Sequence, residues 1–266
     1  MAADEHGKIR WNPWFSAFVR VQYGLALTST RHGETTQVAA SKVGKYATSE
    51  SGDTLEMIER PLGGVSFVLA DGQSSGRGAK LISNLAARKA ISLLAEGVRD
   101  GAVARAAHDY LRAQRQGKVS ATLNIVSVDL TTRTIVVSRN SHCPVLVLTG
   151  EGLRLLDDPS EAIGIRSRTR PVITELPLAA TTLVVFTDGV WTAGQRYGQQ
   201  IDLVEVVSEV LAGQFTAQQM ADIILERAVA LDQGRPADDI SVLVLHVAAK
   251  EDETDVRRMA VRFPVP

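Results

Sequence analysis

The sequence predicts an α+β protein with antiparallel sheets, and three observations carry that expectation. Apolar, β-branched runs stop or start on acidic residues: Val65 to Ala70 runs into Asp71-Gly72, Thr182 to Thr187 runs into Asp188-Gly189, and Asp238-Asp239 precedes Ile240 to Leu245. A β-rich meander covers Ser120 to Val128, Thr134 to Val137 and Val145 to Leu148, with turn residues between its arms. Patterns of helical period fill the intervals.

The 266 residues, 45% of them hydrophobic, suffice for one enzyme-sized domain, and neither a linker nor a repeat divides them. The expectation is a single domain over 1–266, with an N-terminal arm at 1–20 and a tail at 250–266. Trp11, Trp14, Phe15, Phe18 and Val19 recur at roughly helical spacing, as in an arm packed on its own domain or a docking surface. Val21 to Leu27 reads as a strand, and Arg31 to Thr36 as a loop. The pattern from there to Ser49 is too weak to assign.

Ser51 to Glu59 alternates like a strand, Pro61 to Gly64 makes a turn, and the run into Asp71 follows. A hairpin turning there lays its arms side by side and brings Asp53 towards Asp71 at one end of the sheet. Gly72 permits a sharp turn directly after the carboxylate. The small polar loop Gln73 to Gly78 leads into a long helix-like pattern with Ala79, Ile82, Leu85, Ala86, Lys89, Ala90, Leu93 and Leu94. This loop lacks the Gly-Lys-Ser/Thr ending of a nucleotide-binding P-loop. A second helix spans Val103 to Gln114, with His108 read as a solvated surface residue.

Asp157 to Arg170 is polar and arginine-rich, as an exposed, substrate-facing flap would be. Two shorter helices follow, near Asp202 to Ala212 and Ala217 to Leu231, before the Asp238 strand. Met259 to Pro266 alternates like an edge strand that adds to a sheet or to a partner.

A formal net charge of −1 argues against general nucleic-acid binding. Cys143 is the only cysteine, so no intramolecular disulfide and no cysteine-based zinc site can form. Neither a signal-peptide core nor a membrane-spanning apolar run is present, which leads to the expectation of a cytoplasmic protein without membrane contact.

Taken in order, these motifs resemble the metal-dependent Ser/Thr protein phosphatases of the type 2C (PPM) superfamily, and in particular their bacterial SpoIIE-like branch. The resemblance rests on Ser51-Gly52-Asp53, Leu69-Ala70-Asp71-Gly72, Phe186-Thr187-Asp188-Gly189 and Asp238-Asp239-Ile240-Ser241, from about Gly24 to Val247. Asn140 to Pro144 is similar to the family's Gly-His-Pro-like turn, and Ala162-Ile163-Gly164 to its Pro-Leu-Gly segment. The resemblance implies a four-layer αββα sandwich, two antiparallel sheets flanked by helices, with two Mn²⁺ or Mg²⁺ ions at one end. It further implies that Asp71 bridges the ions, that Asp53 and the Gly72 carbonyl serve one, and that Asp188 and Asp238 serve the other. Asp239 takes the place of a neighbour behind the ligands.

Carboxylates, a carbonyl and water suit hard octahedral cations. Asp71 and Asp188 would act through a metal-bound water attacking phosphoserine or phosphothreonine directly. The implied substrate is a phosphoprotein, such as an STAS-type anti-sigma-factor antagonist in a partner-switching pathway. Cys143 lacks the Cys-x5-Arg setting of a thiol phosphatase and is read as structural.

Three features depart from the family pattern. Gln73 stands where many relatives carry a histidine as leaving-group acid, which leaves the acid unassigned: water could substitute, or His142 if its turn approaches the site, although His142 reads first as a residue of the turn. The loop from Gln73 to Gly78 is unusually rich in Ser and Gly. No phosphate-gripping arginine stands out among Arg31, Arg77, Arg166, Arg168 and Arg170. The alternatives are a pseudophosphatase that docks a partner and an unrelated two-metal phosphoesterase acting on nucleotides.

Overall fold

The computed structural model describes residues 19–23, 34–213, 215–249 and 256–264. The aromatic arm at Trp11 to Phe18 and the candidate Arg31 lie outside the described residues, as does the stretch 24–33.

Among the described residues two antiparallel sheets form. The first contains β1 (Val19–Tyr23), β2 (Glu34–Val43), β7 (Val145–Thr149), β8 (Gly152–Leu156), β10 (Thr182–Phe186), β11 (Ile240–Ala249) and β12 (Ala260–Arg262), in the order β12-β1-β2-β11-β10-β7-β8. The second contains β3 (Asp53–Glu59), β4 (Val65–Gly72), β5 (Ala121–Asp129), β6 (Thr134–Asn140) and β9 (Val172–Pro177), in the order β3-β4-β5-β6-β9. The helices are α1 (Gly76–Ala95), α2 (Asp100–Arg115), the short α3 (Asp188–Trp191), α4 (Leu203–Ala212) and α5 (Ala217–Leu231).

Strand alternation builds three apolar layers, which is why the central strands read as unbroken hydrophobic runs. Phe67 and Leu69 meet Leu183, Val185, Leu243 and Leu245 between the sheets. The opposite faces turn to helices. Val68 and Ala70 pack with Ala86, Ala90, Ala107 and Leu111 of α1 and α2, and Val184 and Phe186 pack with Val207, Ile224, Leu225 and Ala228 of α4 and α5. The expected αββα order is therefore present, with its four layers separated by three cores.

Several expectations need correcting. The first strand among the described residues is Val19–Tyr23, so Val19 opens a strand where helical spacing was read. Strand β2 begins at Glu34, within the segment read as a loop, and runs through the unassigned stretch to Val43; it lies between β1 and β11 and has Val38 to Ser41 buried. Strand β9 closes the second sheet beside β6. His108 is not a solvated residue: it is 1% exposed, its Nδ1 accepts from the Gly164 N–H at 3.1 Å, and its Nε2 has no partner. It belongs to the apolar side of α2 with Ala104, Ala107 and Leu111, whereas Arg105 and Arg112 face solvent. The predicted edge strand is β12, paired with β1. No helix of the described residues is long and apolar enough to cross a membrane.

Candidate metal centre

The acidic motifs meet at one end of the sandwich because of how its strands are registered. The β3–β4 hairpin sets Asp53 directly opposite Asp71, a spacing at which like charges repel. Strands β10 and β11 pair Phe186 with Val242, and Thr187 N–H donates to Ser241 O at 3.1 Å. Asp188, just beyond β10, and Asp238, just before β11, are thereby carried to the same end.

Asp53 is completely buried. Its Oδ2 accepts from Ser241 Oγ at 2.6 Å and Thr187 Oγ1 at 3.0 Å, while Oδ1 has no hydrogen-bond partner. Burial pushes its carboxyl up to about 6, reinforced by the charge of Asp239 and opposed by Lys42 and the two hydroxyls. Asp71 is driven further, to about 9, first by burial and then by Asp53, Asp188 and Asp238. Asp238 is also raised by burial, with Lys45 pulling the other way from 3.9 Å.

Two cations stand behind Asp53. Lys42 Nζ and Lys80 Nζ both donate to its backbone carbonyl, Lys80 at 2.6 Å. Burial lowers both amines, Lys80 to about 8 with help from the charge of Lys42. Both were missed in the sequence. Lys42 falls in the strand that was not legible, and Lys80 follows Ala79 on the covered side of α1, where a long apolar stem can lie with its amine reaching inward.

Asp239 is 3% exposed and bonds the backbone on either side of the β2–β3 loop, accepting from Lys45 N–H at 2.9 Å and Gly52 N–H at 2.8 Å. Gly72 lies so close to α1 that a Cβ there would stand 2.0 Å from Ala79 O. Only a hydrogen fits, which keeps the Gly72 backbone at the mouth of the strand. Gln73 does not turn to the acids. Its Oε1 accepts from Ser120 N–H at 3.0 Å and Ser120 Oγ at 3.3 Å.

His142 does reach the rim, with Nε2 3.9 Å from Asp188 Oδ2. Its turn is held from below by the buried Arg139, which donates to Ser141 O at 2.9 Å, Cys143 O at 3.4 Å and Asp158 O, the last at the start of the flap. Cys143 is 2% exposed, and burial, with the charges of Asp188 and Asp71, pushes its thiol up to about 12. A thiol so far from ionising is no nucleophile. Of the arginines considered at the sequence level, Arg166 pairs with Glu161 at 2.5 Å, and Arg168 and Arg170 are exposed on the flap.

A divalent cation fits this set of donors. Four carboxylates offer acceptors without donors, Asp53 Oδ1 is buried and unpartnered, and the carboxyl most crowded by its neighbours is Asp71. Among the described residues no three His, Cys, Asp or Glu side chains form a ready-made cage. Backbone carbonyl and water would have to complete an octahedral shell, as they commonly do for Mg²⁺.

Comparison with known proteins agrees with this geometry. Residues 61–248 match the family described as Stage II sporulation protein E (SpoIIE). Stage II sporulation protein E of Priestia megaterium is 21% identical over 198 residues, covering 73% of this chain and 33% of the relative. The Bacillus subtilis (strain 168) protein is 22% identical over 200 residues, covering 74% and 24%. The chain thus spans about a third or less of the length of these relatives.

Among solved structures, the PP2C phosphatase domain of Bacillus subtilis SpoIIE with a fragment of its regulatory domain superposes with a TM-score of 0.69 at 18% identity, covering 79% of this chain and 63% of that one. The catalytic domain of the serine/threonine protein phosphatase PstP in complex with two manganese ions gives 0.63 at 14% identity, covering 81% and 99%. RsbX in complex with magnesium gives 0.59 at 14%, covering 86% and 100%. The chain belongs to the SpoIIE family, and its fold is that of the type 2C (PPM) phosphatase superfamily.

Proposed function

We propose that this chain is a metal-dependent phosphoprotein phosphatase that hydrolyses phosphoserine or phosphothreonine by direct attack of water. The observation that carries the reading is the convergence of four acids at one end of the sandwich, where register sets Asp53 opposite Asp71 and the β10–β11 pair brings Asp188 and Asp238 alongside. Such a cluster is balanced by divalent cations. Asp71, the Gly72 carbonyl, Asp53, Asp188 and Asp238 would hold two Mn²⁺ or Mg²⁺ ions, with Asp239 fixing the backbone behind them. Bound there, the ions would lower the pKa of a shared water and offset charge on the phosphoryl oxygens.

The chain's own residues set the geometry around that chemistry. Thr187 and Ser241 fix Asp53 from the opposite sheet, and the Lys42 and Lys80 ammoniums fix its backbone. His142, 3.9 Å from Asp188, would be the group that donates a proton to the departing serine oxygen. The PstP complex with manganese and the RsbX complex with magnesium support the choice of metals. By kinship with the SpoIIE family, the substrate in this reading is a phosphoprotein of the STAS-type anti-sigma-factor antagonist class, dephosphorylated in the cytoplasm.

Purified protein with Mn²⁺ should hydrolyse p-nitrophenyl phosphate and a phosphoserine peptide, and Asp71→Asn should lose on the order of 100-fold or more of that turnover. No metal-dependent turnover of either substrate would defeat the proposal. The competing reading is a docking module, favoured by one observation: Lys42 and Lys80 already supply positive charge beside Asp53. Titration calorimetry separates the two, because a docking module need not take up Mn²⁺.

A further inference from the structure

The end of α2 and the flap between β8 and β9 form one basic face next to the acidic cluster. Arg112, Arg115 and Lys118 on one side, and Arg168 and Arg170 on the other, are all exposed. Neither Arg112 to Lys118 nor Ile165 to Arg170 contains an acid, although the chain as a whole carries a formal charge of −1. Among the described residues Arg166 pairs with Glu161, while these five cations form no ion pair.

The two segments are fastened together. The Gly164 N–H donates to His108 Nδ1 at 3.1 Å. Gly164 has a φ of +108°, and a Cβ on it would lie 2.9 Å from Leu111 Cδ2 and 2.5 Å from Val119 O. A Cβ on Gly117 would lie 3.5 Å from Ile165 O. The face also adjoins the candidate centre. Ile163 exchanges backbone hydrogen bonds of 2.8 and 3.1 Å with Ala121, the register partner of Gly72, and Ser120, which holds Gln73, is separated from Lys118 by Val119 alone. Ile165, 49% exposed, adds an apolar contact in the middle of the basic face.

We propose that this face receives acidic residues flanking the phosphorylated residue of the protein substrate, which rests on the phosphatase reading and narrows its substrate class to acidic phosphoproteins. Exposed guanidinium and ammonium groups gain little singly, but several of one sign beside a reaction site speed encounter and select the opposite charge. Arg170, at the far end, also lines a cleft of about 490 Å³ with Asp158, Thr169 and Ile173, where an extended segment can seat a side chain.

Fluorescence anisotropy with the full chain tests this without requiring turnover. The probes are peptides with a non-hydrolysable phosphonate in place of phosphoserine, flanked either by Asp and Glu or by Asn and Gln. The acidic peptide should bind about tenfold more tightly at low salt, and the gap should close in about 0.5 M salt. Arg115→Glu with Lys118→Glu and Arg168→Glu should abolish the gap while p-nitrophenyl phosphate turnover stays within about twofold. The milder set Arg115→Gln, Lys118→Gln and Arg168→Gln should narrow it, which guards against misfolding of the reversed variant. Equal binding of the peptides, or a gap that survives both variants, overturns the proposal. So does tighter binding of duplex DNA or anionic vesicles that the same substitutions abolish, because the occupant is then not a protein segment. A wild type that binds the acidic peptide selectively yet hydrolyses no phosphoester sinks the phosphatase reading alone.

Discussion

Asp53 and Asp71 form a directly opposed pair of carboxyls across the β3–β4 ladder, one fully buried and the other crowded by two further acids, Asp188 and Asp238. In the metal-free protein Asp71 is pushed to about 9 from an ordinary value of 3.8. A group whose pKa is raised on folding contributes stability that is fully present below its unfolded value and is lost as pH rises through the folded one. Chelated protein should therefore lose thermal stability steadily from about pH 4 towards pH 9 on account of this residue. Asp71→Asn should flatten the slope, and adding Mn²⁺ to the wild type should remove it. Melting temperatures in chelator at three pH values check this, and a wild-type slope unchanged by the substitution would refute it.

Asp239→Ala should destabilise the protein by about 2–4 kcal/mol, since it strands the Gly52 and Lys45 N–H donors that its two oxygens serve. Asp239→Asn keeps one acceptor and should cost less. Urea unfolding of both variants gives the comparison.

Gly72→Ala should also be damaging, because its methyl group would press into Ala79 O at the first turns of α1. A loss of about 1–3 kcal/mol is expected for such overpacking, with weakened Mn²⁺ uptake as the backbone shifts. Calorimetric titration reports the second effect separately from the first.

His142→Ala should slow a phosphoserine peptide by about tenfold or more while sparing p-nitrophenyl phosphate, whose leaving group departs without a proton. Equal losses on both substrates would assign His142 to the turn that Arg139 holds.

Cys143, pushed to about 12 and 2% exposed, should resist iodoacetamide at pH 8 and react only after unfolding. Mass spectrometry with and without urea reads this directly.

What could be read in the sequence follows the physics of each segment. The β3–β4 hairpin announced itself through alternation, a turn and an acid at the strand mouth, so the Asp53–Asp71 pairing could be anticipated. Strand β2 could not. Its buried stretch includes Ala39, Ala40 and Ser41, small residues whose burial depends on neighbouring strands distant in sequence. His108 was misread although the signal was there: Ala104, Ala107, His108 and Leu111 follow the i, i+3, i+4, i+7 rule of a buried helix side. The roles of Thr187 and Ser241 were hidden for another reason. Both lie within recognised motifs, but only the register of β10 against β11 brings their hydroxyls to an acid on the other sheet.

That crossing has a mechanical consequence. Asp53 hangs from one leaf of the laminate while both hydroxyls gripping its Oδ2 hang from the other, so the acidic end acts as a clasp between them. A slide of one leaf over the other by the rise of a single residue, about 3.3 Å, would carry those hydroxyls out of hydrogen-bonding reach and open the clasp. Loosening the sandwich would therefore strip this buried carboxylate of both hydroxyl partners at once.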